Sequence, residues 1–129
     1  MAAKLNHTIV WASDQRRSSA FFADMLGLPE PKQFSHFHVV ELANGVSLDF
    51  ADKSGPITSQ HYAFLVSDPE FDAGMARIVE LGLAYWADPG RSRPGEINHH
   101  WGGRGVYFEA PDGHLLELIT KPYGSLEDM

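Results

Sequence analysis

Cysteine is absent from all 129 residues. That excludes disulfides, thiolate metal sites and cysteine nucleophiles, and it suits a reducing cytoplasm. Basic residues are scarce: Lys and Arg number 10 against 17 Asp and Glu, for a net charge of −7. Phosphate backbones are bound by positive fields, so nucleic acid is not an expected partner. Long apolar runs are also missing. Met1-Ala2-Ala3-Lys4 leads directly into a strand-like segment, and neither a signal peptide nor a membrane span is expected. Apolar residues make up 43% of the chain, enough for a core in one compact domain or two small, intimately packed modules.

The order of elements repeats. Leu5–Trp11 alternates and reads as a strand, Asp14 as a helix N-cap, and Gln15–Leu26 as a helix closed by Gly27. Phe37–Leu42 and Val46–Phe50 read as strands joined by the Asn44-Gly45 turn. After the Gly55-Pro56 linker the series restarts. Gln60–Ser67 reads as a strand, Asp68 as an N-cap with Pro69 at the first helical position, and the helix runs to about Leu81 before Gly82. Leu83–Ala87, Gly105–Ala110 and His114–Thr120 read as further strands. His7 precedes Asp14, and His61 precedes Asp68, by seven residues in each case. Both helices end in Leu-Gly-Leu, at 26–28 and 81–83. Asn44-Gly45-Val46-Ser47-Leu48-Asp49 matches Asp112-Gly113-His114-Leu115-Leu116-Glu117, the acid falling four residues after the glycine both times. A joint match of this kind reports a duplicated unit. The expected organisation is α+β: a first module over 4–53, a linker over 54–59, a second module over 60–121 and a tail over 122–129.

Strand side chains alternate between faces, so His7 shares a face with Leu5, Ile9 and Trp11, and Glu117 shares one with Leu115 and Ile119. A histidine or carboxylate on such a face is costly to bury unless paired or coordinated. A single one is more often a satisfied core or edge residue. Two histidines and two acids at equivalent positions of paired modules shift that balance toward a shared cleft. Two histidines and one carboxylate form the facial triad of non-haem Fe(II) oxygenases. Without thiolates the set suits Fe(II), Mn(II), Ni(II), Co(II) or Zn(II).

On these residues the chain resembles the vicinal oxygen chelate superfamily of glyoxalases, bleomycin-type resistance proteins and extradiol dioxygenases. The resemblance runs from Leu5 to Thr120. It implies two tandem βαβββ modules forming a cup-shaped, barrel-like mixed sheet with helices outside. It also implies His7, His61 and Glu117 as metal ligands, with Asp49 at the fourth symmetric position. A narrower likeness follows the extradiol signature. Asn98-His99-His100 is followed, after five residues, by Val106-Tyr107-Phe108-Glu109-Ala110-Pro111-Asp112-Gly113 and then by Glu117. That match implies His100 as an acid/base beside the metal and Tyr107 as a hydrogen-bonding residue there. The whole chain is similar to the short subgroup that includes a ring-cleaving iron enzyme of chartreusin biosynthesis. Small members of the superfamily often form homodimers, so one is expected here.

Three readings follow. The first is a metal-dependent, Fe(II) dioxygenase that cleaves or rearranges a hydroxylated aromatic with dioxygen, His100 moving the proton. Asn98, His99, Trp101, Arg93 and Arg104 are its candidate substrate contacts. Asp49 matches Glu117 in register, so it is expected to coordinate too. The second reading is a glyoxalase-like lyase or isomerase, favoured if Asp49 coordinates and leaves only two open positions. The third is a non-catalytic antibiotic-binding resistance protein, which needs no metal. The loop Arg91–Asn98 reads equally as a polar rim and as a solvated surface loop, and Arg104 as an anion contact or a partner of Glu109.

Overall fold

The computed structural model describes residues 2–124, so part of the expected tail, 125–129, lies outside the described residues. The chain divides into two compact units, Met1–Thr58 and Ser59–Met129.

In the first unit the order is β1 (His7–Ala12), α1 (Gln15–Leu26), β2 (Lys32–Phe34), β3 (Phe37–Glu41) and β4 (Ser47–Asp52). The α1 boundaries follow from its caps. The Asp14 carboxylate accepts from the backbone N–H of Arg16 and Arg17. Gly27, at φ 65°, takes the left-handed turn that closes the helix, and Leu28 N–H returns to the Ala23 carbonyl at 2.9 Å. The strands form one four-stranded mixed sheet in the order β1-β4-β3-β2, with β1 parallel to β4. Val10, Ala12, Leu48 and Phe50 alternate onto the face that buries them with Phe22 and Met25 of α1, and Phe22 meets Phe50 edge-on at 4.8 Å. The other face carries His7, Ile9, Trp11, Ser47 and Asp49 by the same alternation.

The second unit repeats the plan: β5 (His61–Leu65), α2 (Asp68–Glu80), β6 (Tyr85–Trp86), β7 (Gly105–Glu109) and β8 (Leu115–Ile119), in the sheet order β5-β8-β7-β6. Val106, Phe108, Leu116 and Leu118 are buried on one face, and α2 buries Phe71 and Ile78. Glu117, Tyr107 and His61 alternate onto the other face. Here too β5 runs parallel to β8, pairing His61 with Leu115 as β1 pairs His7 with Ser47. The repeat read from the sequence is therefore a repeat of strand register.

Two expectations need correction. The βαβββ resemblance implied a strand between α1 and β3, but the residue reading did not locate it; the three residues of β2 are all exposed, so no buried alternation announces them. The N-cap of α2 is Ser67, not Asp68. The Ser67 hydroxyl accepts from Glu70 N–H at 3.2 Å, and the Glu70 carboxylate accepts from Ser67 N–H at 2.7 Å, a reciprocal capping box. These bonds, the backbone one first, hold the Glu70 carboxyl below its ordinary range. Asp68 is instead engaged by Arg104 at 2.9 Å.

The capping box predicts that Ser67→Ala will destabilise the second unit by about 1 kcal/mol. Asp68→Ala, which breaks an exposed ion pair, should cost less. Chemical denaturation of the two variants checks the ranking; a larger loss in Asp68→Ala would restore Asp68 as the cap.

Candidate functional site

The parallel pairing of β5 with β8 sets His61 beside Leu115 and Ala63 beside Glu117. His61 Nδ1 lies 3.0 Å from the Leu115 carbonyl oxygen. A carbonyl only accepts, so Nδ1 carries the proton in that bond. Nε2 lies 3.0 Å from Glu117 Oε1. Two acceptors at that distance need a cation between them, a proton or a metal. A backbone carbonyl orienting the far nitrogen of a histidine is the usual support of a metal-ligating imidazole. The separation fits as well: two donors at right angles, each about 2.1 Å from one ion, stand about 3.0 Å apart.

Glu117 is 8% exposed, and a carboxylate so placed is costly without partners. Its second partner comes from β7, where Tyr107 pairs with it across the ladder. Burial foremost, then the Glu117 charge and the hydrogen bond to that carboxylate, raise the Tyr107 phenol well above its ordinary value. Tyr107 therefore keeps its proton, and its O–H is the donor in the hydrogen bond to Glu117. Its ring stacks on His61 at 5.9 Å and 25°.

A cavity of about 250 Å³ opens beside this cluster, lined by Tyr107, Glu117, Asn98, His100, Trp101 and Arg104, with Ile119, Lys121 and Tyr123. Asn98 is buried and anchors the loop: its side-chain N–H donates to the Ala87 carbonyl at 2.8 Å, and its side-chain oxygen accepts from His100 N–H at 3.2 Å. Gly105 presses on it, since a Cβ there would stand 2.7 Å from the Asn98 oxygen. His100 opens a single helical turn, His100–Gly102, in which Trp101 takes a left-handed backbone at φ 60°. For a bulky residue that conformation costs on the order of 1 kcal/mol or more and persists only where the surroundings impose it.

Other candidates are placed differently. Arg104 reaches the cavity, but its guanidinium is held by Asp68 at 2.9 Å and Asp72 at 2.8 Å and lies over the Phe71 ring. Glu109, the partner expected for it, pairs with Arg91. Arg93 and His99 do not line the cavity. The Asp88 carboxylate accepts from the N–H groups of Ser92 and Arg93, folding that loop on itself, and Arg93 pairs with exposed Glu96. In the first unit His7 shares its face with Asp49; His7 Nδ1 is 2.7 Å from the Asn6 side-chain oxygen, and Asp49 accepts from the Ser47 hydroxyl at 3.1 Å. Among the described residues no three His, Asp or Glu side chains gather into one metal-binding group.

Residues 4–118 match the family described as the Glyoxalase/Bleomycin resistance protein/Dioxygenase superfamily. The chain belongs to this superfamily. Among solved structures, Oxidase ChaP-H1 is 60% identical, with a TM-score of 0.94 over 96% of this chain and 100% of that one. Oxidase ChaP-H2 is 59% identical, with a TM-score of 0.94 over 97% and 98%. A curated relative, Metallothiol transferase FosB of Lysinibacillus sphaericus (strain C3-41), is 30% identical over 96% of this chain and 84% of its own length. Members of the superfamily generally bind a divalent metal, and the donor pair His61–Glu117 suits one.

Three cavity residues of this superfamily member were missed in the sequence reading: Ile119, Lys121 and Tyr123. Ile119 was placed on the Glu117 face without being assigned to the site. Lys121 and Tyr123 lie beyond β8, the first at the end of the expected second module and the second in the expected tail.

The Tyr107 environment generates a prediction with a definite sign. A phenol whose folded pKa exceeds its unfolded value favours the fold below the unfolded value of about 10. That contribution is lost as pH climbs from there through the folded value. Tyr107→Phe should therefore show a shallower alkaline loss of stability than the parent above pH 10. Denaturation midpoints between neutral pH and the alkaline limit measure it; parallel curves would show that Tyr107 is not held protonated.

Proposed function

We propose that this protein is a metal-dependent oxygenase of the extradiol type, using Fe(II) and dioxygen to cleave or rearrange a hydroxylated aromatic of polyketide type. The observation that carries the reading is the His61 Nε2 to Glu117 contact at 3.0 Å beside a cavity lined by Tyr107 and His100. The names of ChaP-H1 and ChaP-H2, both oxidases at about 60% identity, support oxidative chemistry. His7, at the position of the first module equivalent to His61, is the proposed third ligand, and the working form is a homodimer.

When bound, the metal would supply positive charge to an incoming aromatic diol and open positions for dioxygen. The other roles belong to side chains. Leu115 fixes the tautomer of His61, and Tyr107 holds Glu117 by a donated hydrogen bond while keeping its own proton. His100, set by its bond to Asn98, takes a phenolic proton from the substrate and returns it to the product. Ile119 gives the reacting ring an apolar surface that excludes water.

Asp49 separates the reading from a lyase or isomerase. Opposite Glu117 across its sheet stands Tyr107, whereas opposite Asp49 stands Val39, and a serine hydroxyl already serves the Asp49 carboxylate. We therefore place Asp49 outside the ligand set, reversing the coordination favoured by the repeat alone.

The tests follow. His61→Ala, Glu117→Ala and His7→Ala should each remove most bound metal in elemental analysis after anaerobic reconstitution. Asp49→Ala should keep most of it; equal loss there would favour the lyase or isomerase reading. His100→Ala should retain metal and fold yet lose turnover about a hundredfold or more, read as oxygen uptake with a polyhydroxylated aromatic. No oxygen uptake by the iron-loaded parent across a panel of such aromatics would defeat the oxygenase assignment.

A further inference from the structure

Tyr123 lies beyond the last strand, and the reading of the reaction gives it no chemical role. The ring is 84% exposed, yet it lines the cavity and meets Trp101 edge-to-face at 6.0 Å. The Trp101 turn is seated firmly on the chain leaving β8. A Cβ at Gly103 would come within 2.6 Å of both Thr120 Oγ1 and Lys121 Cγ, so only glycine allows that approach. The strained backbone of Trp101 is thus imposed by its seat, and the result is an aromatic corner at the cavity's edge. An edge-to-face pair leaves a ring face uncovered, able to take a third ring.

We propose that Trp101 and Tyr123 together form a ring-recognition wall that makes the cavity favour fused two-ring aromatic diols over single-ring ones. The proposal rests on the aromatic-substrate reading above and extends it to substrate size. Glu117, Ile119, Lys121 and Tyr123 follow one another at two-residue steps along the cavity lining. A diol held by its hydroxyls at the Glu117 end places its first ring near Tyr107 and Ile119. Beyond Ile119 the chain bends at Thr120 and Lys121 and turns at Tyr123, so the Tyr123 ring lines the same cavity as Glu117. A second fused ring extends the ligand away from Glu117 and gives the Trp101–Tyr123 corner a ring to stack on, which a single ring held at Glu117 lacks. The cavity, at about 250 Å³, falls just below the usual range for drug-sized ligands, which suits two rings better than a larger system within this unit.

The test uses the full-length, metal-loaded protein under anaerobic conditions, with catechol and naphthalene-2,3-diol as probes in titration calorimetry. The parent should bind the naphthalene diol about tenfold tighter than catechol, the size of one to two aromatic contacts. Tyr123→Ala, a change at an exposed side chain, should erase most of that preference while leaving catechol affinity within about twofold. Tyr123→Phe, which keeps the ring, should preserve the preference. Trp101→Gly should act like Tyr123→Ala. Equal affinity of the parent for both diols, or an equal loss of both in Tyr123→Ala, would overturn the wall while leaving the diol site standing. Failure of the parent to bind either diol would instead sink the aromatic reading and the wall with it.

Discussion

His61 reaches Glu117 because the first strand of its module lies parallel beside the last. The two residues are 56 positions apart in sequence and 3.0 Å apart in space. Parallel neighbours cannot be joined by a hairpin, so the chain between them has to cross over. The helix and the two intervening strands are that crossover. The β5–β8 register fixes Leu115 opposite His61, and the antiparallel β7–β8 register fixes Tyr107 opposite Glu117. A slip of one residue would turn Glu117 into the apolar core and Leu116 out of it. The alternation of buried Leu116 and Leu118 with Glu117 therefore enforces the site geometry through the hydrophobic effect, with no contribution from the site itself.

The same frame is built twice and equipped differently. At the positions of Leu115, Glu117 and Tyr107 the first unit has Ser47, Asp49 and Val39. Substituting serine for leucine gives the acid a local hydroxyl partner, and substituting valine for tyrosine removes the phenol. The duplicated backbone thus sets where a polar side chain stands, and its neighbours set what that side chain does. Asp49 and Glu117 look interchangeable in the sequence because their distance from a glycine is the same. Their difference lies in residues on adjacent strands, which no single-strand reading compares.

What the sequence made legible was whatever depends on near neighbours. Asp14, Gly27 and the Leu-Gly-Leu endings act within one helical turn, and α1 spans the residues its caps define. The α2 start was displaced because Ser67-Asp68-Pro69-Glu70 offers two capping residues in succession. Ser67 wins through the reciprocal bond with Glu70, and Asp68 is free to meet an arginine 36 positions away. That arginine illustrates the other limit. Arg104 follows the His100 turn and looks like an anion contact, but its charge is consumed by two carboxylates on α2. Tyr123 failed for a different reason: it lies past the last strand, where the chain bends and turns, and its place at the cavity comes only from the fold.

The loop from Asp88 to Gly105 shows how a polar segment can be held firmly enough to serve chemistry. Its first half is organised by one carboxylate, since Asp88 accepts from Ser92 and Arg93 and is held below its ordinary range chiefly by the Ser92 hydroxyl. Its second half is organised by one buried amide, since Asn98 ties the loop to Ala87 and to the backbone of His100. Between them the chain touches the sheet at Trp86–Pro94 and Asn98–Gly105. An acid/base histidine on a mobile loop would spend much of its time out of reach of the substrate proton, and small displacements cost rate steeply. Anchoring His100 through its own N–H, with the residue lining the cavity, removes that loss for the acid/base role proposed for it.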